Sequence, residues 1–308
     1  MAWLGSSARP EKGRGMENAR KRRFGDRREG RRLRTLDPYN ELTPFIMRTR
    51  NDASNLFSDS VEIAEAERFL REKRKNGYPG MGLLHLIMAA YVRTVASYPG
   101  VNRFISGQRF YSRHNVEFVM TIKKEMRANA PETSIKVAFD RRETICDVYD
   151  KLKAEIDKVR REGEDTSTDD LAKIFMKLPR LILKITVRSI EILDYFGLMP
   201  KSIMEASPFH ASVVITDIGS LGLPALYHHL YNFGNVPVFI AIGAKRKACE
   251  LRPDGTVQEK KYLDYTLVMD ERCSDGFYFS QAFRLFKSLL RNPGELDEPI
   301  ESVVEDID

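Results

Sequence analysis

Apolar residues recur at two periods along this chain, and the two periods outline the fold. From 60 to 75, Val61, Ile63, Ala64, Ala66, Phe69 and Leu70 fall among charges at helical spacing and predict an amphipathic helix. Tyr78-Pro-Gly80 breaks it. Residues 82–97 form a second predicted helix, apolar nearly all round and therefore buried, which Tyr98-Pro-Gly100 ends. Segments 116–123 and 134–139, rich in β-branched and aromatic residues, read as strands. Helical spacing returns over 144–162, with Val148, Leu152, Ile156 and Val159 on one face. A polar linker follows to 170, then a long apolar and basic helical stretch over 171–198, interrupted by Pro179. Strands are expected over 211–218, 236–242 and 262–269, and a last amphipathic helix over 277–291 with Phe279, Phe283, Phe286 and Leu290 on its face. Mixed strands and helices of this kind predict an α/β or α+β sandwich, a mixed sheet covered by helices.

Charge changes the picture at the two ends. The formal net charge is +6, yet residues 1–34 alone carry 12 Lys+Arg against 4 Asp+Glu. The rest of the chain is close to neutral and slightly acidic. The expected organisation is therefore a disordered basic tail over 1–35, one domain over 36–295 and a loose acidic tail over 296–308. The basic tail has a bland reading as a solvated leader. Its alternative is electrostatic attachment to RNA, anionic lipid or an acidic partner. With 42% apolar residues the chain can bury a large core. Its longest apolar stretches are interrupted by Lys or Arg, so no membrane span is expected. Three scattered cysteines, Cys146, Cys249 and Cys273, suit neither a disulfide framework nor a zinc site, and with no secretory signal pattern the expected location is the cytoplasm. No metal site is expected, and no dinucleotide or phosphate-loop motif is present.

The segment Asp270-Glu271-Arg272-Cys273-Ser274-Asp275-Gly276 joins the last strand to the last helix. It resembles the active-site segment of the E2 acyltransferases of 2-oxoacid dehydrogenase complexes and of chloramphenicol acetyltransferase, which carries His-x-x-x-Asp-Gly. Asp275 and Gly276 stand where that motif puts them, and Glu271 occupies the histidine position. Further segments resemble the same family in the same order: Pro44-Phe-Ile-Met-Arg48, His85-Leu-Ile-Met-Ala-Ala-Tyr-Val, Tyr98-Pro-Gly-Val-Asn102, the strand pair over 110–119, Val213-Val-Ile-Thr-Asp-Ile-Gly-Ser-Leu-Gly222 and Val236-Pro-Val-Phe-Ile-Ala-Ile-Gly243. Together they cover most of 36–293. Neither a lipoyl domain nor a peripheral-subunit-binding domain is expected beside them. The resemblance implies a chloramphenicol acetyltransferase-like fold, a homotrimer with its active site between subunits, and acyl-coenzyme A as co-substrate with no covalently bound cofactor.

The same resemblance assigns roles. Glu271 takes the place of the general base, Thr216 the oxyanion donor with Ser220 as the register alternative, and Asp275 a structural partner of a buried arginine, for which Arg48 is the candidate. Gly276 is read as permitting a tight turn into the helix. A carboxylate with an ordinary pKa is a weaker base near neutrality than imidazole, and burial can raise it. His228 and His229 are the other candidate bases. On a strand, neighbouring residues face opposite ways, so at most one of them is expected to enter a channel. His210 is read as capping a strand start, and His85 and His114 as structural. Two functions follow as expectations. One is acyl transfer from a coenzyme A thioester to a thiol or hydroxyl with an altered base. The other is a catalytically inactive trimeric scaffold for a ligand or partner. The stretch 171–198 departs from the family. It is read as a helix pair over the core or at the trimer interface, a peripheral membrane contact, or a lid over an acyl channel.

Overall fold

The structure, a computed structural model, describes residues 22–123, 132–162 and 167–308. In chain order its elements are β1 (Gly30–Arg32), α1 (Pro38–Ile46), β2 (Ser54–Glu62), α2 (Ala64–Lys75), α3 (Leu83–Ser97), β3 (Arg103–Ser106), β4 (Arg109–Arg113), β5 (Val116–Lys123), β6 (Glu132–Phe139), α4 (Ile145–Glu162), α5 (Ser167–Met176), α6 (Arg180–Tyr195), α7 (Lys201–Ala206), β7 (Val213–Asp217), β8 (Val238–Leu251), β9 (Val257–Asp270) and α8 (Gly276–Arg291).

A six-stranded sheet has the order β2-β9-β8-β7-β5-β6, and β4 lies between β1 and β3 in a three-stranded sheet. In the large sheet β7 runs parallel to β5 and β8, and the other pairs are antiparallel. Alternation along the strands divides the residues between two faces. Val213, Ile215, Ile240, Ile242, Tyr265 and Leu267 join one core with α3, α4 and α8. Their neighbours Val214, Phe239 and Val268 face the other way, under Leu230 of the loop between β7 and β8. Helix α3 is buried on nearly every side because it contacts α2, α4 and α8 as well as β5. The mixed sheet covered by helices is the architecture that the periodicity predicts.

The predicted helix over 60–75 begins as strand. Residues 54–62 pair with 262–270 of β9, and α2 starts only at Ala64. Ser58, Asp59 and Ser60 look like helix-start chemistry, but β2 is an edge strand whose alternate residues reach solvent, so polar residues are tolerated there. The long helical stretch after 170 is two helices broken at Pro179, with α5 starting at Ser167, inside the expected linker.

The tails also need correcting. Residues 22–35 and 296–308 are held in place by each other and by the body. β1 pairs with β4. The C-terminal segment donates the Val304 N–H to Ala96 O at 2.8 Å, and its Asp308 carbonyl accepts the N–H groups of Arg34 and Thr35 at 2.8 Å each. Asp306 accepts from Arg103 Nε at 2.9 Å, and Arg23 pairs with Asp308 at 3.0 Å. Acidic and basic segments that each read as disordered neutralise one another across nearly the whole chain length. Residues 1–21 of the predicted basic tail lie outside the described residues.

The start of α3 gives a pH prediction. Gly82 has no side chain to cap the helix, so its N–H donates instead to His85 Nδ1 at 3.1 Å. That acceptor role requires a neutral ring, and burial pushes the imidazole down to about 4. Between the ordinary histidine pKa and that value, the unfolded chain binds a proton that the folded chain refuses. Stability contributed by His85 is therefore complete above pH ~6.5 and is lost as pH falls towards 4, by about 2–3 kcal/mol. Urea titrations of wild type and His85→Asn across this window should show a shallower acid loss in the variant.

Candidate active site

The motif segment begins where β9 ends. Asp270 is 1% exposed and its carboxylate forms a two-point pair with Arg272, Nε to Oδ1 at 2.7 Å and Nη2 to Oδ2 at 2.6 Å. Arg272 Nη1 also donates to the Met47 carbonyl at 2.7 Å. Beside them lies Arg50, fully engaged with backbone. Its Nη1 donates to the carbonyls of Asn232 at 2.9 Å and Tyr231 at 3.2 Å, and its Nη2 to those of Ile105 and Gly234. Burial pulls Arg50 below the ordinary guanidinium value, opposed by the nearby Asp270 charge. Burial also pushes the Cys273 thiol well above its usual range, so this cysteine is an inert packing residue.

This arrangement corrects the expected pairing of Asp275 with Arg48. Asp275 is exposed and caps α8, accepting the Tyr278 N–H at 2.9 Å, and Arg48 is exposed at the rim of a cavity. The buried acid is Asp270 and the buried arginines are Arg272 and Arg50. The sequence signal was available in Arg48-Thr-Arg50, where two arginines in alternate positions made the choice ambiguous. Gly276 is not required by its backbone, since it has no positive φ and a Cβ added there meets nothing within 4 Å.

Glu271 is half-buried. Its N–H donates to the Ala53 carbonyl at 2.9 Å, which ties the turn to the start of β2. Among the described residues no hydrogen bond or ion pair reaches its carboxylate, because Arg272 turns away to Asp270.

Thr216 lies two strands away from β9 in the same sheet. It sits beside Ala241 of β8, which faces Thr266 of β9. Glu271 is five residues further along the β9 direction. With a rise of about 3.3 Å per residue and about 4.8 Å between strands, the two positions are roughly 19 Å apart within one chain. They cannot touch the same acyl group in a single subunit. Ser220 is further away from the motif still, in the turn after β7, where its Oγ donates to the Asp217 carbonyl at 2.7 Å and its N–H to Asp217 Oδ1 at 3.0 Å. It lines a separate cavity of about 650 Å³ with Asp217 and His85. Gly219 in this turn is demanded by close approach, as a Cβ there lies 2.1 Å from the Gly243 carbonyl oxygen and 2.8 Å from the Ala244 nitrogen. Gly219→Ala should cost about 1–3 kcal/mol through forced displacement of β8, read as a lowered melting temperature.

The two neighbouring histidines do not alternate. Their loop is not a strand, so both rings lie on one side, stacked at 4.7 Å and 22°. His228 also stacks on Phe239 at 4.0 Å and 10°, and its Nδ1 contacts the His229 carbonyl at 2.8 Å. Phe239 faces Val214, two residues before Thr216 on the same sheet face. In the sheet plane Phe239, on whose ring His228 lies, is roughly 8 Å from Thr216, closer than Glu271 is.

A cavity of about 380 Å³ opens beside the buried arginines, walled by Arg48, Arg50 and Arg272 on one side and by α6 on the other. His210 forms part of its lining and is 1% exposed. Its Nδ1 contacts Ser207 Oγ at 2.8 Å, and its Nε2 lies 3.7 Å from Asp194 Oδ2, beyond hydrogen-bond length and without another partner. Burial works against the charge on Asp194, but contacts from His210, Arg27 and Ser106 outweigh it and hold the carboxyl below its usual range. Arg27 makes the firm contact, at 2.9 Å. His210 is thus an interior histidine at a cavity wall and not merely the cap of a strand. Among the described residues no cluster of three or more His, Cys, Asp or Glu residues is placed to hold a metal ion.

No family model matches the sequence, and no curated protein matches it. Solved structures do match. A probable dihydrolipoamide acetyltransferase from Listeria monocytogenes 4b F2365 aligns with a TM-score of 0.55 at 10% identity, over 84% of this chain and 94% of that one. The dihydrolipoamide acetyltransferase of Azotobacter vinelandii aligns with a TM-score of 0.53 at 14% identity, over 84% of this chain and 88% of that one. This is the dihydrolipoamide acetyltransferase fold. A chloramphenicol acetyltransferase also aligns, over 84% of this chain and 99% of that one at 13% identity, but its TM-score of 0.48 adds nothing to the assignment. At such low identities what is shared is the fold, and the fold that the motif resemblance implied is the one observed. No helix among the described residues is long and apolar enough to cross a membrane.

Proposed function

We propose that this chain transfers an acyl group from a coenzyme A thioester to a thiol or hydroxyl acceptor, as a homotrimer with Glu271 in place of the usual histidine base. The observation that carries the reading is the roughly 19 Å between Thr216 and Glu271 along one sheet. Two groups that far apart on one sheet can serve one reaction only if neighbouring subunits bring them together. The Azotobacter enzyme supports the assignment of positions. A serine, a histidine and an asparagine have roles in its catalytic mechanism, the last two spaced as Glu271 and Asp275 are here.

In this reading Glu271 of one subunit accepts the proton of the attacking thiol or hydroxyl. Thr216 of the neighbour donates its hydroxyl to the oxyanion of the tetrahedral intermediate. Asp270, Arg272 and Arg50 fix the turn that presents Glu271. His228, on the same face as Thr216, is the second candidate for proton transfer.

A specific observation favours a second reading. Among the described residues nothing holds the Glu271 carboxylate in one place, and a base without an orienting partner is poorly set up for proton transfer. A non-catalytic trimer that binds a ligand or partner at the old channel is consistent with that. Calorimetric titration with coenzyme A, acetyl-coenzyme A and a long-chain acyl-coenzyme A separates the two. Saturable binding near one site per subunit, with turnover reduced by both Glu271→Ala and Thr216→Ala, is expected for the enzyme. Absence of binding to all three ligands leaves the scaffold reading.

A further inference from the structure

Helix α6 is turned inside out relative to an ordinary surface helix. Amphipathic helices of globular proteins hide their apolar stripe and show their polar face. Here Leu181, Ile185, Ile192 and Phe196 fall on one stripe and are 69%, 58%, 58% and 68% exposed. The inward side is anchored by Ile190, which is buried, and by Asp194, which Arg27 clamps at 2.9 Å. Rotation of the helix to hide the stripe would break that ion pair. On the preceding helix Ile174 and Met176 are 58% and 75% exposed. Arg180, Lys184 and Arg188 run along one flank of the stripe, with Glu191 paired to Arg188 at 2.6 Å.

We propose that this face docks on an anionic phospholipid surface, with α6 lying in the plane of the membrane. Apolar side chains enter the boundary between headgroups and acyl chains, and the flanking cations meet lipid phosphates and carboxylates. The helix has 16 residues, about 24 Å long, which suits an in-plane helix and not a span. Charge complementarity is the argument for lipid: the exposed apolar stripe is flanked by Arg180, Lys184 and Arg188, a pairing of apolar and cationic positions that matches the acyl boundary and the anionic headgroups of one bilayer face. The proposal is independent of whether the chain catalyses acyl transfer.

The test is sedimentation of the full chain with vesicles of phosphatidylcholine alone and of phosphatidylcholine mixed with phosphatidylserine. Wild type should sediment with the mixed vesicles, bind phosphatidylcholine weakly, and be released by added salt. Ile185→Glu combined with Ile192→Glu should reduce the bound fraction about tenfold or more, since each change puts a charge into the apolar boundary. Arg180→Glu combined with Lys184→Glu, on exposed flank positions, should weaken binding to the mixed vesicles and leave the circular dichroism spectrum and melting temperature unchanged. Equal sedimentation of wild type and the isoleucine variant would overturn the proposal and assign any binding to the basic N-terminal residues. Failure of wild type to bind either vesicle, with the isoleucine variant of smaller mass by light scattering, would overturn it in favour of a subunit interface.

Discussion

Replacing Asp270 by Ala should destabilise the protein by about 3–5 kcal/mol, the typical result of removing one partner from a buried ion pair. Asp270 and Arg272 side chains are 1% and 4% exposed, so no water is at hand to take over the lost contact. Among the described residues the guanidinium left behind keeps the Met47 carbonyl as its one hydrogen-bond acceptor and faces the positive charge of Arg50, which raises the cost further. For a chain of this size the melting temperature should fall by about 10 °C. Asp270→Leu combined with Arg272→Met should recover much of the loss, because replacing both partners by apolar groups of similar volume is often neutral. Calorimetric melts of the three proteins check this. A melting temperature within a degree or two of wild type for Asp270→Ala would show that the pair is not what fixes the turn.

The second large effect concerns chemistry. Glu271→His should raise the rate of acetyl transfer from acetyl-coenzyme A to a small dithiol by about 10²–10⁴-fold over wild type, the usual contribution of a well-placed general base. The expectation depends on the turn holding the new imidazole where the carboxylate now lies. That turn is built from the Glu271 N–H bond to Ala53 and the Asp270–Arg272 pair, neither of which involves the substituted side chain. Thr216→Ala in the same background should remove about 10²–10³-fold of the gain, as loss of one oxyanion donor does elsewhere. A single-turnover assay with radiolabelled acetyl-coenzyme A measures both. If the histidine variant binds coenzyme A and is no faster than wild type, the reaction does not run at this position.

Much of this protein is decided by its sequence. The two hydrophobic periods place α3, α4, α8 and the strands β5 to β7 to within about two residues, because a buried face repeats with the geometry of its own backbone, and they find only the buried halves of β8 and β9, whose polar ends at 243–251 and 257–261 carry no such face. That Glu271 and Asp275 lie in a turn between a strand and a helix, and Thr216 on a strand, is also legible from the same periods. Other features depend on residues distant in the chain. Asp270, not Asp275, is the buried acid, because only the folded turn shows which carboxylate faces Arg272. Arg50, not Arg48, is the buried arginine, because the carbonyls that receive it come from 105 and 231–234. The side by side stacking of His228 and His229 follows from a loop backbone to which strand alternation does not apply. The ordering of 22–35 and 296–308 needs the two oppositely charged ends brought together, and the outward apolar stripe of α6 needs the clamp between Arg27 and Asp194. Periodicity determines which residues share a face. The tertiary contacts, which balance burial against charge over hundreds of residues, determine where that face looks.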